Sequence, residues 1–312
     1  MSSSTARAGD LTRWGCAVGS RIPTANVKEE EASGRELSRM ADGPGGRAET
    51  IYLGDHRAIT RTKYGIKLFF DTRDLSVGIP VALDGDWEPW LSPFLLSVAR
   101  PGDVVVDVGA NIGFYTTHFA ARVGPAGRVH SFECNPALFG LLRDTVDINN
   151  LADRCTLYAS ALADRVGEIP FFQPAKHQGS GNVRGGGLEN ETFTEIAVPA
   201  TTLDTVFPGG EPPVRLLHTD VESAEPLVIA GGHGFIERHR DMVVVIECVG
   251  GWFRNTGDDA LRDALLYLQR TGRRLCLLNN NVPVRASIDL ILQHEITNAV
   301  AIPSHLTEFG AL

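Results

Sequence analysis

Apolar and polar residues alternate along this chain in two rhythms. Short runs that are apolar throughout are separated by stretches in which apolar residues recur every three or four positions. The clearest run is Val104, Val105, Val106 and Val108, a β-branched series that reads as a strand buried on both faces of a parallel sheet. Gly109 and Gly113 close it, and a helical stretch follows at once. Further strand-like runs lie at 128–132, 157–162, 215–219, 242–246, 274–278 and 298–302. Between them, Leu138, Leu141, Leu142 and Val146 share one helical face, as do Leu261, Leu265 and Leu268. About seven strands alternating with helices predict an α/β architecture, a doubly wound sheet.

Upstream the rhythm changes. Residues 51–70 alternate in short stretches, as in a hairpin or two edge strands, and 84–96 reads as a turn leading into a helix. This divides the chain into an extension poor in large apolar side chains (1–48), an N-terminal cap over the cleft (49–97) and the sheet domain (98–312). Residues 171–195 are the least regular part, with five glycines in the nine residues G-S-G-N-V-R-G-G-G. Such a stretch inside a compact domain predicts a lid, with Lys176, His177 and Arg184 either solvated or touching substrate.

Composition narrows the function classes. The chain has 312 residues, 43% of them hydrophobic, enough for one sizeable core with additions. Its net charge of −9 is expected to disfavour nucleic acid, which is bound by neutralising phosphates, and to suit a small-molecule acceptor. The five cysteines are scattered with no C-x-x-C pair, so core positions are expected rather than disulfides or zinc. With no secretory leader and no apolar run long enough for a membrane, a cytoplasmic protein is expected. The pattern implies no oligomeric state.

The candidate chemistry gathers where the first strand ends. Dinucleotide turns read G-x-G-x-x-G, but Asn111 and Phe114 stand at the second and third glycine positions, and no Walker lysine is present. What remains is D-x-G-x-N-x-G, spanning Asp107, Gly109, Asn111 and Gly113. That turn suits S-adenosylmethionine, whose sulfonium is positive and which carries no phosphate. Glu133, twenty-six residues beyond Asp107 at the end of the second strand, is placed to accept hydrogen bonds from both ribose hydroxyls. Ser160 and Ala161 fall where an adenine edge would lie. Glu88 either meets the ammonium of a bound methionyl group or is a charge favoured at a helix N-terminus.

His218, Asp220, Glu222 and Glu247 fall near the carboxyl ends of neighbouring strands, where open α/β sheets bind ligands. Of these, His218 alone has an ordinary titration range suited to neutral pH, so it reads as a base or as a buried core histidine. Asp220 and Glu222 read as a divalent-metal pair or as capping groups before Pro226, and metal dependence stays open.

With D-V-G-A-N-I-G-F-Y, S-F-E-C-N-P and T-D-V-E-S-A-E-P in this order, the chain resembles the FkbM family of S-adenosylmethionine-dependent methyltransferases. The resemblance implies a Rossmann-like methyltransferase sheet. It implies a cofactor loop at Asp107, Gly109, Asn111 and Gly113, a ribose-binding acid at Glu133, an adenine contact at Ser160 and Ala161, and an active-site edge at Asp220 and Glu222. The implied activity is O-methyl transfer to a hydroxyl of a sugar, glycoside or other small natural product. Two motifs depart from the family pattern: His218 replaces a lysine and Ser223 a glycine in K-x-D-x-E-G-A-E, and Cys134 replaces the proline of E-P-N-P. The rival readings are a nucleic-acid methyltransferase and a non-catalytic cofactor-binding domain; a nicotinamide dehydrogenase is more distant.

Overall fold

A computed structural model describes residues 49–185 and 191–309. The extension at 1–48 and part of the glycine-rich stretch therefore lie outside the described residues.

The alternation at 51–70 forms an antiparallel sheet of three strands, β1 (Ile51–Gly54), β2 (Arg57–Arg61) and β3 (Lys67–Asp71). Two short helices follow, α1 (Gly78–Asp84) and α2 (Ser92–Val98); Pro93 near the start of the second lacks an N–H that a first helical turn would leave unpaired.

The main unit runs β4 (Val104–Val108), α3 (Phe114–Val123), β5 (Arg128–Phe132), α4 (Pro136–Ile148) and β6 (Cys155–Tyr158). All five residues of β4 are buried, as its valine run predicts. The α4 start is fixed by Asn135, whose side chain accepts a hydrogen bond from the Ala137 N–H, with Pro136 in the first turn.

After β6 the chain leaves the main sheet. The stretch 157–162, expected as one strand, is two: β6 ends at Tyr158, and β7 (Ala161–Leu162) pairs in a separate three-stranded sheet with β9 (Phe193–Thr201), itself paired to β8 (Gly167–Pro174). The break puts Ser160 at a bend between the two sheets. The stretch expected to be a loop is thus partly ordered strand, with a single helical turn at 178–180 between β8 and β9.

The chain then returns through α5 (Leu203–Val206), β10 (Val214–Thr219), α6 (Glu225–Ala230), α7 (His233–Arg238), β11 (Val243–Cys248), α8 (Gly250–Thr256) and α9 (Ala260–Arg270). It closes with β12 (Arg273–Asn279), β13 (Val282–Arg285), α10 (Ile288–Gln293) and β14 (Thr297–Pro303). The eight-stranded order is β13-β12-β14-β11-β10-β4-β5-β6, parallel from β11 to β6 and antiparallel through β14, β12 and β13. The doubly wound sheet of the sequence is present, with β13 as an additional hairpin strand.

Connectivity runs outward in both directions from the β4–β10 pair, so their carboxyl ends form the crevice where such sheets take ligands. Two apolar clusters pack the sheet's faces. One joins Leu68, Phe70, Val81 and Phe94 of the N-terminal segment to Val105, Phe119 and Leu142; the other gathers Val106, Leu217, Ile246 and Leu265. Among the described residues, no helix is long and apolar enough to cross a membrane.

Candidate active site

Gly109 follows β4 with φ +81°, and a Cβ built on it would stand 1.7 Å from the Asp220 carbonyl oxygen. Only glycine permits both the left-handed backbone and this approach of the two strand ends. The Asp220 N–H donates back to the Val108 carbonyl at 2.9 Å, locking turn and strand end together. Asn111, also left-handed at φ +53°, donates its backbone N–H to Glu133 Oε2 at 2.9 Å, and the Asn135 N–H reaches Glu133 Oε1 at 2.7 Å. Each Glu133 oxygen is therefore anchored by one backbone donor and has a lone pair to spare. Burial pushes the Glu133 carboxyl up to about 7, against the pull of those two N–H groups.

These elements wall a cleft that is open to solvent. The sequence-predicted Gly109, Asn111, Glu133, Ser160, Ala161, Asp220 and Glu222 all lie on its wall. The apolar side chains of Phe132, Leu138 and Phe171 line it as well, and so do Gln178, Gly179, Gly181, Asn182 and Val183. Of the loop residues singled out by sequence, His177 instead pairs with Glu191 at 2.7 Å, and Arg184 pairs with Asp258 at 2.8 Å over the Trp252 ring. The wall-forming part of that segment is tied to the N-terminal region: the Gln178 N–H donates to Asp74 and the Gly179 N–H to Ser76. Phe171 and this short run lie in the stretch expected as a lid, but none carries a charged or catalytic signature that would single it out as a wall residue.

Four predicted residues stand behind the wall. Asp107 is fully buried and spends both oxygens on protein partners, accepting from Thr116 Oγ1 at 2.6 Å and from His218 Nδ1 at 2.9 Å. Gly113 caps α3 with φ +92°, and its missing side chain makes room for Leu142. His218 is 1% exposed, edge-on to Tyr115, with Nε2 lacking a partner. Burial alone would lower the His218 pKa, but the Asp107 bond and the charges of Asp107, Asp220 and Glu88 raise it overall. Glu88 is buried and accepts from the Tyr115 hydroxyl at 2.8 Å; burial and the charge of Asp220 push it up to about 7. The structure thus places His218 as a buried ring with Nδ1 engaged by Asp107.

At the cavity's other end lies a carboxylate edge. Asp220 follows β10, Glu247 occupies the adjacent position on β11, and Glu222 is swung back by left-handed residues at 222 and 223, with φ +51° and +78°. Oxygens of these three lie within 4.8 Å of one another. Burial, then the neighbouring acid charges, raise Glu222 and Glu247 well above the carboxylate range; burial raises Asp220, opposed by His218. These groups could hold a cation or share protons.

Parts of this chain are similar in sequence to known proteins. The chain is 32% identical over 157 residues to the 31-O-demethyl-FK506 methyltransferase FkbM of Streptomyces tacrolimicus, covering 42% of this chain and 60% of that one. It is 35% identical over 139 residues to the tRNA wybutosine-synthesizing protein 2 homolog of Homo sapiens, covering 41% of this chain but 29% of the relative. It thus spans under a third of that relative's length. A solved structure, the methyltransferase FkbM from Methylobacillus flagellatus, superposes with a TM-score of 0.42 at 14% identity over 69% of this chain and 50% of that one.

The expectation that nucleic acid is no partner is corrected by the tRNA-named relatives, which come from several vertebrates. A net charge summed over the whole chain says nothing of the sign on one face, so −9 cannot carry that exclusion. The model of the methyltransferase FkbM domain matches residues 107–275, more than half of the chain and the whole of the crevice just described. The chain belongs to the FkbM family of methyltransferases and takes S-adenosylmethionine as its cofactor.

Proposed function

We propose that this protein transfers the methyl group of S-adenosylmethionine to a hydroxyl of a small, natural-product-like acceptor placed against Asp220 and Glu222. The observation that carries the reading is one cavity with two different acidic ends, Glu133 with spare acceptor capacity and Asp220 with Glu222 beyond the glycine turn. Support for a hydroxyl comes from the relative named as an O-demethyl-FK506 methyltransferase, of which the chain covers the larger share.

The residues fit the donor. Glu133 can accept both ribose hydroxyls without giving up its backbone bonds, and Phe132, Leu138 and Phe171 offer apolar walls to a flat base. Ser160, at the bend between the two sheets, lies beside that wall. When bound, the donor supplies a methyl group on a positively charged sulfur, released as a neutral thioether once an acceptor oxygen takes the carbon. Asp220 and Glu222 oppose that positive charge and face the acceptor hydroxyl, whose proton has to be taken or polarised for the oxygen to attack. Behind them Asp107 fixes the His218 ring, and Glu88 with Tyr115 completes the buried polar layer. The remaining acceleration comes from holding donor and acceptor in line while water is kept out.

A second reading, tRNA as the acceptor, is favoured by the tRNA wybutosine-synthesizing relatives. Incubating the protein with donor labelled in its methyl group, and with hydroxylated natural products and bulk tRNA in parallel, separates the two. Label in a small-molecule ether supports the first reading, label in tRNA alone replaces it with the second, and label in neither rejects both.

A further inference from the structure

The carboxylate edge gathers more acceptor oxygens than its protein partners satisfy. Asp220, Glu222 and Glu247 converge to within 4.8 Å, and Glu247 Oε2 has no hydrogen-bond partner. Outside this trio stands a second, independent sign. Glu225 is 0% exposed; its Oε1 accepts at 2.8 Å from the N–H of Val221, the residue between Asp220 and Glu222, while its Oε2 has no partner. Buried polar atoms are nearly always paired, so orphans around one acidic convergence point to a missing group of positive charge.

The spacing indicates which kind. Hard divalent cations hold oxygens at about 2.0–2.6 Å, so two oxygens on one ion stand at most about 4–5 Å apart. The oxygens lie within 4.8 Å of one another, so a small inward rotation of the side chains brings them to the roughly 4.2 Å that trans oxygens span on a magnesium-sized ion, and an all-oxygen set with no cysteine disfavours a thiophilic metal.

We propose that Asp220, Glu222 and Glu247 hold one divalent cation of the magnesium or manganese class, whose open positions face the cavity and take the acceptor oxygen. Its purpose rests on the methyl-transfer reading; its existence does not. Two of its ligands line the cavity wall while Glu247 stands behind them, so the ion sits between the sheet edge and the space for the acceptor. Bound there it lowers the pKa of a coordinated hydroxyl and leaves Asp220 and Glu222 with an anchoring role. It also offsets the mutual repulsion of the acids and supplies the positive charge that the free oxygen of Glu225 lacks.

The test uses the full chain stripped with a chelator and titrated with Mn²⁺ alone, free ion being followed by electron paramagnetic resonance. One ion per chain is expected, with binding at least about tenfold weaker in Asp220→Asn and Glu247→Gln. A wild-type protein that takes up no Mn²⁺ at millimolar concentration overturns the proposal whatever the variants do. So does competitive displacement of Mn²⁺ by S-adenosylhomocysteine, which would assign the acids to the donor's amino group. If Mn²⁺ binds but no hydroxyl is methylated, the site stands and the functional reading falls; undiminished methylation in chelator without Mn²⁺ uptake has the opposite meaning.

Discussion

The two acidic ends of the cavity differ in how their charge is met. Glu133 is buried, yet each of its oxygens rests on a backbone N–H supplied by the glycine turn or by the start of α4. Asp220, Glu222 and Glu247 are gathered as closely, but apart from His218 acting on Asp220 the charged groups that act on them are other acids, Glu225 and Glu88 among them. Backbone donors belong to the fold and are present whether or not a ligand is bound, so the Glu133 end is prepared in advance for hydroxyl donors. The other end is prepared for something cationic or proton-bearing that arrives from outside. One acid pattern thus serves two purposes, and the distinction lies in the partners, not in the residue type.

The sharpest way to break this contrast is at Asp220. Asp220→Asn keeps the size and the backbone bond to Val108 but removes a charge, and turnover is expected to fall about 10²–10⁴-fold in a labelled-methyl assay. Full turnover would detach the acid edge from the chemistry. Gly109→Ala attacks the joint between the two ends: positive φ and the approach to the Asp220 carbonyl should cost on the order of 1–3 kcal/mol from strain alone. Urea unfolding reads that loss, and an unchanged midpoint would show that the turn relaxes freely.

At the other end, Glu133→Gln should weaken S-adenosylmethionine binding about tenfold, equivalent to about 1.4 kcal/mol, by calorimetry. Equal affinity in wild type and variant would remove Glu133 from the donor site. Tyr115→Phe strips the hydrogen bond from buried Glu88 and should lower stability by about 1 kcal/mol with donor affinity kept.

The smallest effect concerns pH. The folded Glu133 carboxyl is raised from 4.5 to about 7, so between those values the folded protein holds a proton that the unfolded chain has lost. Its contribution to stability is therefore present below about 4.5 and is lost as pH rises through 7. Donor affinity should move the other way, rising a few-fold from pH 6 to 8 as the carboxylate forms, and Glu133→Gln should flatten that rise.

How much of this was legible in the sequence depended on distance along the chain. The valine run of β4, the glycine turn and the acid ending β5 are local signals, and all appear where the pattern put them. The break between β6 and β7 was hidden because β7 takes its partner from β9, some forty residues downstream. Asp107 was placed on the ligand by its position before the turn, yet His218, 111 residues away, claims one of its oxygens. Glu88 shows the same limit: its partner Tyr115 comes from a different element, and no spacing rule joins them.

The burial of Leu68, Phe70, Val81 and Phe94 in one apolar cluster with Phe119 and Leu142 has a consequence for how this protein can change. Deleting residues 49–97 would strip a wall from the interior instead of releasing a trimmed enzyme. Sequence drift in this segment is then expected first at its outward-facing Leu83 and Trp90, 76% and 61% exposed, where substitution costs the interior nothing.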